Sequence, residues 1–268
     1  MTVQAIRRRT SDTAVVVADD LRDLVKGRMA GDGPALDPRQ RAALADLRRD
    51  GYAVVEGYWP RERALALGRR LEQELESGTE RDYESGAYLR FWDDRSYDQG
   101  VRRLYHVDKL LPDLAEFRHD LFSLDIVNAY YRVPFNPAML IFQHNTRSNH
   151  DTRYYHVDGF AREFKTFLYL DDVDEGNGPF TYIPGTHRSH LRRLSKQLRG
   201  NGDDSPTSFH ADEIEGALQR EVKITGPAGT LILADVRGLH RGSPQRAGSR
   251  SVLVCYMVRH EGEIFPDR

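Results

Sequence analysis

The chain has 268 residues, enough to bury a full core as one large domain. Its 39 basic and 41 acidic residues nearly balance, which argues against nucleic acid or a membrane surface as the main partner. The single cysteine, Cys255, excludes an internal disulfide and thiolate-built zinc sites, and its place in VLVCYMV predicts a buried strand thiol.

The longest early apolar run, Ala14 to Ala18, is too short for a spanning helix or a signal-peptide core. Arg7-Arg8-Arg9-Thr10 suggests a twin-arginine signal, but no long apolar segment follows, so a cytoplasmic protein is expected. Residues 1–35 are expected to form a tail and a short helix, and 36–268 a single domain. A helix is predicted after Asp37-Pro38, where Asp caps and Pro takes the first helical position. A strand follows at 52–55, then a helix over 60–77 with Ala64, Leu67, Leu71 and Leu75 at helical spacing. The polar, aromatic stretch 78–100 is expected to be a loop, either over a pocket or simply packing, and 104–131 to be helical with a break at Leu110-Leu111-Pro112. Beyond Pro137 short strands are predicted at 138–143, 166–170, 180–183, 221–224, 230–234 and 251–258. Helices first and then many short strands indicate a jelly-roll or barrel core carrying an N-terminal helical layer. Between strands lies the basic segment HRSHLRRLSKQLR, read as a solvated helix followed by a surface loop, with a lid over 186–215 that meets an anionic substrate as the sharper alternative.

Three H-x-D pairs occur: His106/Asp108, His156/Asp158 and His210/Asp212. In an extended chain residues i and i+2 share a face, so imidazole and carboxylate can hold one ion together. The first pair runs into a predicted helix, where i and i+2 diverge, and Asp212 reads as a helix cap. Only His156 and Asp158 sit at a strand-like position. The third ligand must come from another strand, and His240, after the strand TLILAD and a turn, is the best candidate. His187 and His190 are rivals in the basic, exposed-looking segment. Two imidazoles and one carboxylate on one face of an octahedral metal leave three positions open, which favours iron(II) and activation of O₂. Arg250, opening the last strand, is placed to fork onto a carboxylate, with Arg241 and Arg246 as rivals in the preceding turn.

His156-Val-Asp158, LYLDDVDEGNGPFTYIPGTHR, GTLILADVRGLHRGSP and the strand after Arg250 resemble the phytanoyl-CoA dioxygenase-like family of iron(II)- and 2-oxoglutarate-dependent oxygenases. The resemblance spans roughly residues 45 to 258. It implies a double-stranded β-helix, a jelly-roll (cupin-like) variant, with His156, Asp158 and His240 on iron. It implies Arg250 on the distal carboxylate of the cosubstrate 2-oxoglutarate, with Gln143 and Thr166 lining the cosubstrate pocket. Halogenating relatives replace the metal-binding Asp with a small residue; Asp158 is present, so hydroxylation or a related oxidation is expected. The expected partner is a small, anionic molecule rather than a macromolecule, taken by a monomer or a homodimer. Many arginines beside five lysines suggest a GC-rich bacterial gene and hence secondary metabolism such as antibiotic biosynthesis. A cupin-like metalloenzyme that does not use 2-oxoglutarate, and a non-catalytic barrel that only binds, are the competing readings.

Overall fold

A computed structural model of the protein describes residues 34–92, 100–146, 154–158, 163–189 and 207–259. The expected N-terminal tail and short helix, Tyr97 in the aromatic stretch, Phe160, His190 and most of the basic segment lie outside these residues. Helix α1 (Pro38–Asp50) starts with a reciprocal cap. Asp37 accepts from the Gln40 amide at 2.8 Å, and the Gln40 side chain accepts from the Asp37 amide at 2.9 Å. Gly51 ends it at φ +90° and leads into β1 (Tyr52–Val55). Helix α2 (Arg61–Gln73) buries Ala64, Gly68 and Leu71, and α3 (Leu121–Tyr131) is capped by Asp120.

The stretches expected to be loop and helix become strands instead: β2 (Arg81–Asp82), β3 (Tyr88–Trp92) and β4 (Val101–Tyr105). Arginines and aromatics hide the period-2 signal, but Leu89 and Leu104 are fully buried and paired to each other, so burial outweighs the polar appearance. Only 121–131 of the predicted long helix is a multi-turn helix, after single turns at 107–110 and 115–118.

The later strands are β5 (Asn136–Asn145), β6 (Tyr155–His156), β7 (Glu163–Tyr169), β8 (Phe180–Tyr182), β9 (Ser208–Phe209), β10 (Val222–Ile224), β11 (Leu231–Asp235), β12 (His240–Gly242) and β13 (Arg250–Val258). They pair antiparallel into an eight-stranded sheet, β1-β11-β7-β13-β5-β4-β3-β2, and a five-stranded sheet, β10-β8-β12-β6-β9. The two sheets face each other as a double-stranded β-helix. Helices cover the outer face of the larger sheet.

The alternation along β13 shows which face is which. Leu253, Cys255 and Met257 pack with Leu47, Leu71 and Ile126 under the helices. Val252 and Val254 pack with Phe180, Tyr182 and Ile224 between the sheets. Tyr169 ties the sheets directly, donating to the Ile224 carbonyl at 2.7 Å and accepting from the Phe180 amide at 3.1 Å. Among the described residues, no helix is long and apolar enough to cross a membrane.

Candidate metal centre

His156 lies on β6 and His240 on β12, directly opposite each other in the smaller sheet. Their rings are 4.4 Å apart between centroids. Asp158 leaves β6 and is tied back by its amide to the Val236 carbonyl at 3.2 Å. One Asp158 oxygen then lies 3.6 Å from His156 Nε2 and the other 3.5 Å from His240 Nε2. Ligand atoms of all three fall within 4.8 Å of one another. Both imidazoles are held by their other nitrogen: His156 Nδ1 meets the Tyr154 carbonyl at 3.2 Å and His240 Nδ1 the Gly238 carbonyl at 2.9 Å. A carbonyl can only accept, so each Nδ1 carries the proton and each Nε2 offers its lone pair to the shared centre.

Buried hydrogen bonds brace the turn that delivers His240. Asp235, fully buried, accepts from Arg237 Nε at 3.0 Å and Nη2 at 2.8 Å, and from the Tyr130 hydroxyl at 3.0 Å. Tyr182 Oη donates to the Asp235 carbonyl at 2.7 Å. Gly238 is required here because a Cβ would lie 1.8 Å from Tyr182 Oη.

The electrostatics suit a cation. Burial, with His240 alongside, pulls the His156 imidazole down to about 4, so it is neutral near pH 7. Burial alone would push the Asp158 carboxyl up, but Lys165, His240 and His156 outweigh it and hold the acid well below the usual carboxylate range. Two imidazole nitrogens and one carboxylate oxygen converge, which is the donor set that iron(II) takes with open positions.

Arg250, the first residue of β13, is buried. One terminal nitrogen donates to the Gly178 carbonyl, whereas its Nε is buried without a partner, and it makes no ion pair among the described residues. Burial lowers its pKa, as expected for a cation lacking a counter-ion. A buried guanidinium of this kind fits the carboxylate of a bound dianion. On the same inner side are Val252, Val254 and the tilted pair Phe167 and Phe180, whose rings are 4.5 Å apart, with Phe180 5.5 Å from the His240 ring.

Gln143 is opposite Val252 and so on the inner face; it accepts from Arg103 Nε at 2.9 Å and donates to Asn145 at 2.8 Å. Thr166 is not in the pocket. It pairs with Cys255 and Leu233, both packed under the helices, so the period of two turns it outward and presents Lys165 and Phe167 instead. Phe164 is turned outward by the same parity into the helix-side core.

The other sequence candidates have structural roles. Asp108 pairs with Arg118 at 2.8 Å. Asp212 does not cap its short helix; Glu213 instead reaches back to the His210 amide at 2.8 Å. His187 is buried rather than exposed, wedged beside Gly51, where a Cβ would lie 2.4 Å from its Nδ1. Arg241 is paired with Glu221 at 3.0 Å, and Arg246 is exposed. Sequence reading missed Lys165, whose ammonium sits 2.5 Å from Asp158. The available signal was a lone charge inside the apolar strand FKTFLYL.

Fold and site together define a double-stranded β-helix metalloprotein with a two-histidine, one-carboxylate centre. The sequence profile of the phytanoyl-CoA dioxygenase (PhyH) family matches residues 47–252, and the chain belongs to that family of iron- and 2-oxoglutarate-dependent oxygenases. No curated protein matches the chain in sequence.

Several solved structures share the fold. The non-haem α-ketoglutarate-dependent epimerase SnoN from nogalamycin biosynthesis is 17% identical over 87% of this chain and 90% of its own, with a TM-score of 0.57. HygX from Streptomyces hygroscopicus, solved with nickel and 2-oxoglutarate, is 16% identical over 83% and 87%, with a TM-score of 0.55. EctD from S. alaskensis, with bound Fe, is 18% identical over 85% and 78%, with a TM-score of 0.60.

Proposed function

We propose that this protein is an iron(II)- and 2-oxoglutarate-dependent hydroxylase that oxidises an unactivated C–H bond of a small, anionic metabolite. The observation that carries the reading is the His156/Asp158/His240 centre together with a buried Arg250 that opens β13 on the face of Val252 and Val254 and makes no ion pair among the described residues. His156, Asp158 and His240 would hold the iron, Arg250 the distal carboxylate of the cosubstrate, and Gln143 a place along the pocket wall through its bond to Arg103. Bound iron(II) with 2-oxoglutarate supplies the activation of O₂, with succinate and CO₂ as co-products.

The chain's own residues do the rest. The Tyr154 and Gly238 carbonyls keep both Nδ1 protons in place, so the Nε2 atoms stay available. Phe167, Phe180, Val252 and Val254 wall off water between the metal face and Arg250. The substrate's orientation against that face then decides the outcome. Fold relatives include an epimerase and a carbocyclase from nogalamycin biosynthesis, and a structure of HygX holds hygromycin B. These relatives, with the arginine-rich, lysine-poor composition, support a role in bacterial secondary metabolism, and a cytoplasmic monomer or homodimer is the accompanying proposal.

The test is O₂ consumption and succinate formation by the purified protein with iron(II) and 2-oxoglutarate, across a panel of anionic natural products. Turnover that is stimulated by one class, with a product heavier by one oxygen atom, is expected. No succinate under any condition, with the protein folded and metal-loaded, rejects the reading.

A further inference from the structure

Lys165 is the least expected residue of the cavity. It stands on the inner face of β7, opposite Tyr256 on β13 and Ala234 on β11. Its side chain is only 8% exposed. The ammonium lies 2.5 Å from one oxygen of Asp158, 3.5 Å from Glu163 and 4.0 Å from the centre of the Tyr256 ring. Two carboxylates and an aromatic face therefore fix it from three sides.

Removing the ammonium alone would leave Asp158 and Glu163 buried together without a cation, so Lys165 balances charge inside the fold. The ammonium also engages Oδ2 of a candidate metal ligand, the oxygen that lies 3.5 Å from His240 Nε2, and leaves Oδ1 free of it. A carboxylate with both oxygens free can chelate one cation and take two of its six positions. With two imidazoles that leaves two positions, which the keto-acid end of 2-oxoglutarate fills, and no place for O₂. With one oxygen held away, three positions stay open.

We propose that Lys165 is a positioning residue that restricts Asp158 to one metal-binding oxygen and so keeps open the coordination position that O₂ requires. The inference rests on the iron and 2-oxoglutarate reading of the site. Charge supports it as well. Lys165 offsets the negative charge of Asp158 without competing for the metal, because an ammonium has no lone pair.

The experiment compares wild type with Lys165→Met and Lys165→Arg, loaded anaerobically with iron(II) and 2-oxoglutarate. Two signals are read: the charge-transfer absorption of the chelated cosubstrate, and the EPR signal of nitric oxide taken up at the remaining position. The Met variant is expected to keep the absorption band and lose the nitric oxide signal, and the Arg variant to retain both. A Met variant that takes up nitric oxide like wild type overturns the proposal. So does one that merely needs more substrate, which would make Lys165 a substrate contact.

Should Met not fold at this position, a crystal structure of wild type with manganese(II) and 2-oxoglutarate decides. Asp158 bound through one oxygen, with Lys165 on the other, is expected; a chelating Asp158 or a withdrawn Lys165 overturns the proposal. A wild type that forms no absorption band at all rejects the cosubstrate reading itself, a different failure.

Discussion

Replacing Arg250 with methionine separates the 2-oxoglutarate reading from every other use of this barrel. The guanidinium is buried, donates to one backbone carbonyl at Gly178, and has an Nε without a partner. A structural arginine in that position would be poorly designed, since a buried charge without a counter-ion costs stability. Its removal should therefore hurt the cosubstrate and spare the fold.

For the fold, the loss of one backbone hydrogen bond, worth about 0.5–1.5 kcal/mol, is offset by relief of the buried charge, so stability should stay within about 1 kcal/mol of wild type. For binding, removing one partner of a buried ion pair costs about 3–5 kcal/mol, which corresponds to roughly 10²- to 10⁴-fold in Kd for 2-oxoglutarate.

The assay is anaerobic titration of the iron(II)-loaded protein, followed by the charge-transfer band or by calorimetry. The same titration with 2-oxovalerate, which lacks the distal carboxylate, completes a cycle: wild type and variant should bind it alike. A variant that keeps 2-oxoglutarate affinity within about threefold, or loses 2-oxovalerate equally, would refute the argument. The cupin-like alternative, which does not use 2-oxoglutarate, predicts that first result.

Three further outcomes follow from the same geometry. Gly238→Ala places a Cβ 1.8 Å from Tyr182 Oη, so the Asp235–His240 turn must shift, and manganese(II) affinity should fall at least about tenfold; unchanged affinity would show that the turn does not set His240. Burial lowers the pKa of His106, His144, His156 and His187, so each stays neutral in the fold while the unfolded chain takes up protons below about pH 6.5. The metal-free protein should therefore lose stability as pH falls from about 6.5 towards 4, and a melting temperature flat across that window would contradict it. Cys255 is fully buried with its thiol pushed up to about 12 by burial, so thiol reagents should react only as fast as the protein unfolds globally; rapid labelling of the native protein would contradict this.

Much of the fold was legible because its signals are local. The Asp37-Pro38 start, Gly51 and the apolar strands 231–235 and 250–258 carry caps, breakers and β-branched runs that act over a few residues. The strands 88–92 and 101–105 were not legible. Their inner faces carry Tyr88, Arg90, Arg103 and Tyr105, which read as solvent-facing until the second sheet supplies a cavity that tolerates them. His187 failed for a similar reason: five arginines and lysines follow it, yet it turns inward beside Gly51 and Tyr182.

The cavity itself shows how one residue of register separates a right motif from a wrong assignment. His156 and Asp158 could be paired from spacing because residues i and i+2 of an extended segment share a face whatever the sheet around it does, and His240 from its place after a strand and a turn. Thr166 could not, because its face depends on which neighbours β7 takes, and pairing with Cys255 and Leu233 turns it towards the helices. The same pairing carries Lys165 inward, against Oδ2 of Asp158. A threonine hydroxyl is small, polar and expected in a cosubstrate pocket, whereas a lysine in FKTFLYL looks like an edge-strand charge; parity reverses both expectations at once. If a Thr166→Val variant left 2-oxoglutarate affinity unchanged while Lys165→Met altered the loaded site, the parity argument would hold in solution. A Thr166→Val variant with sharply weakened cosubstrate binding, and an intact fold, would show that β7 is registered one residue away.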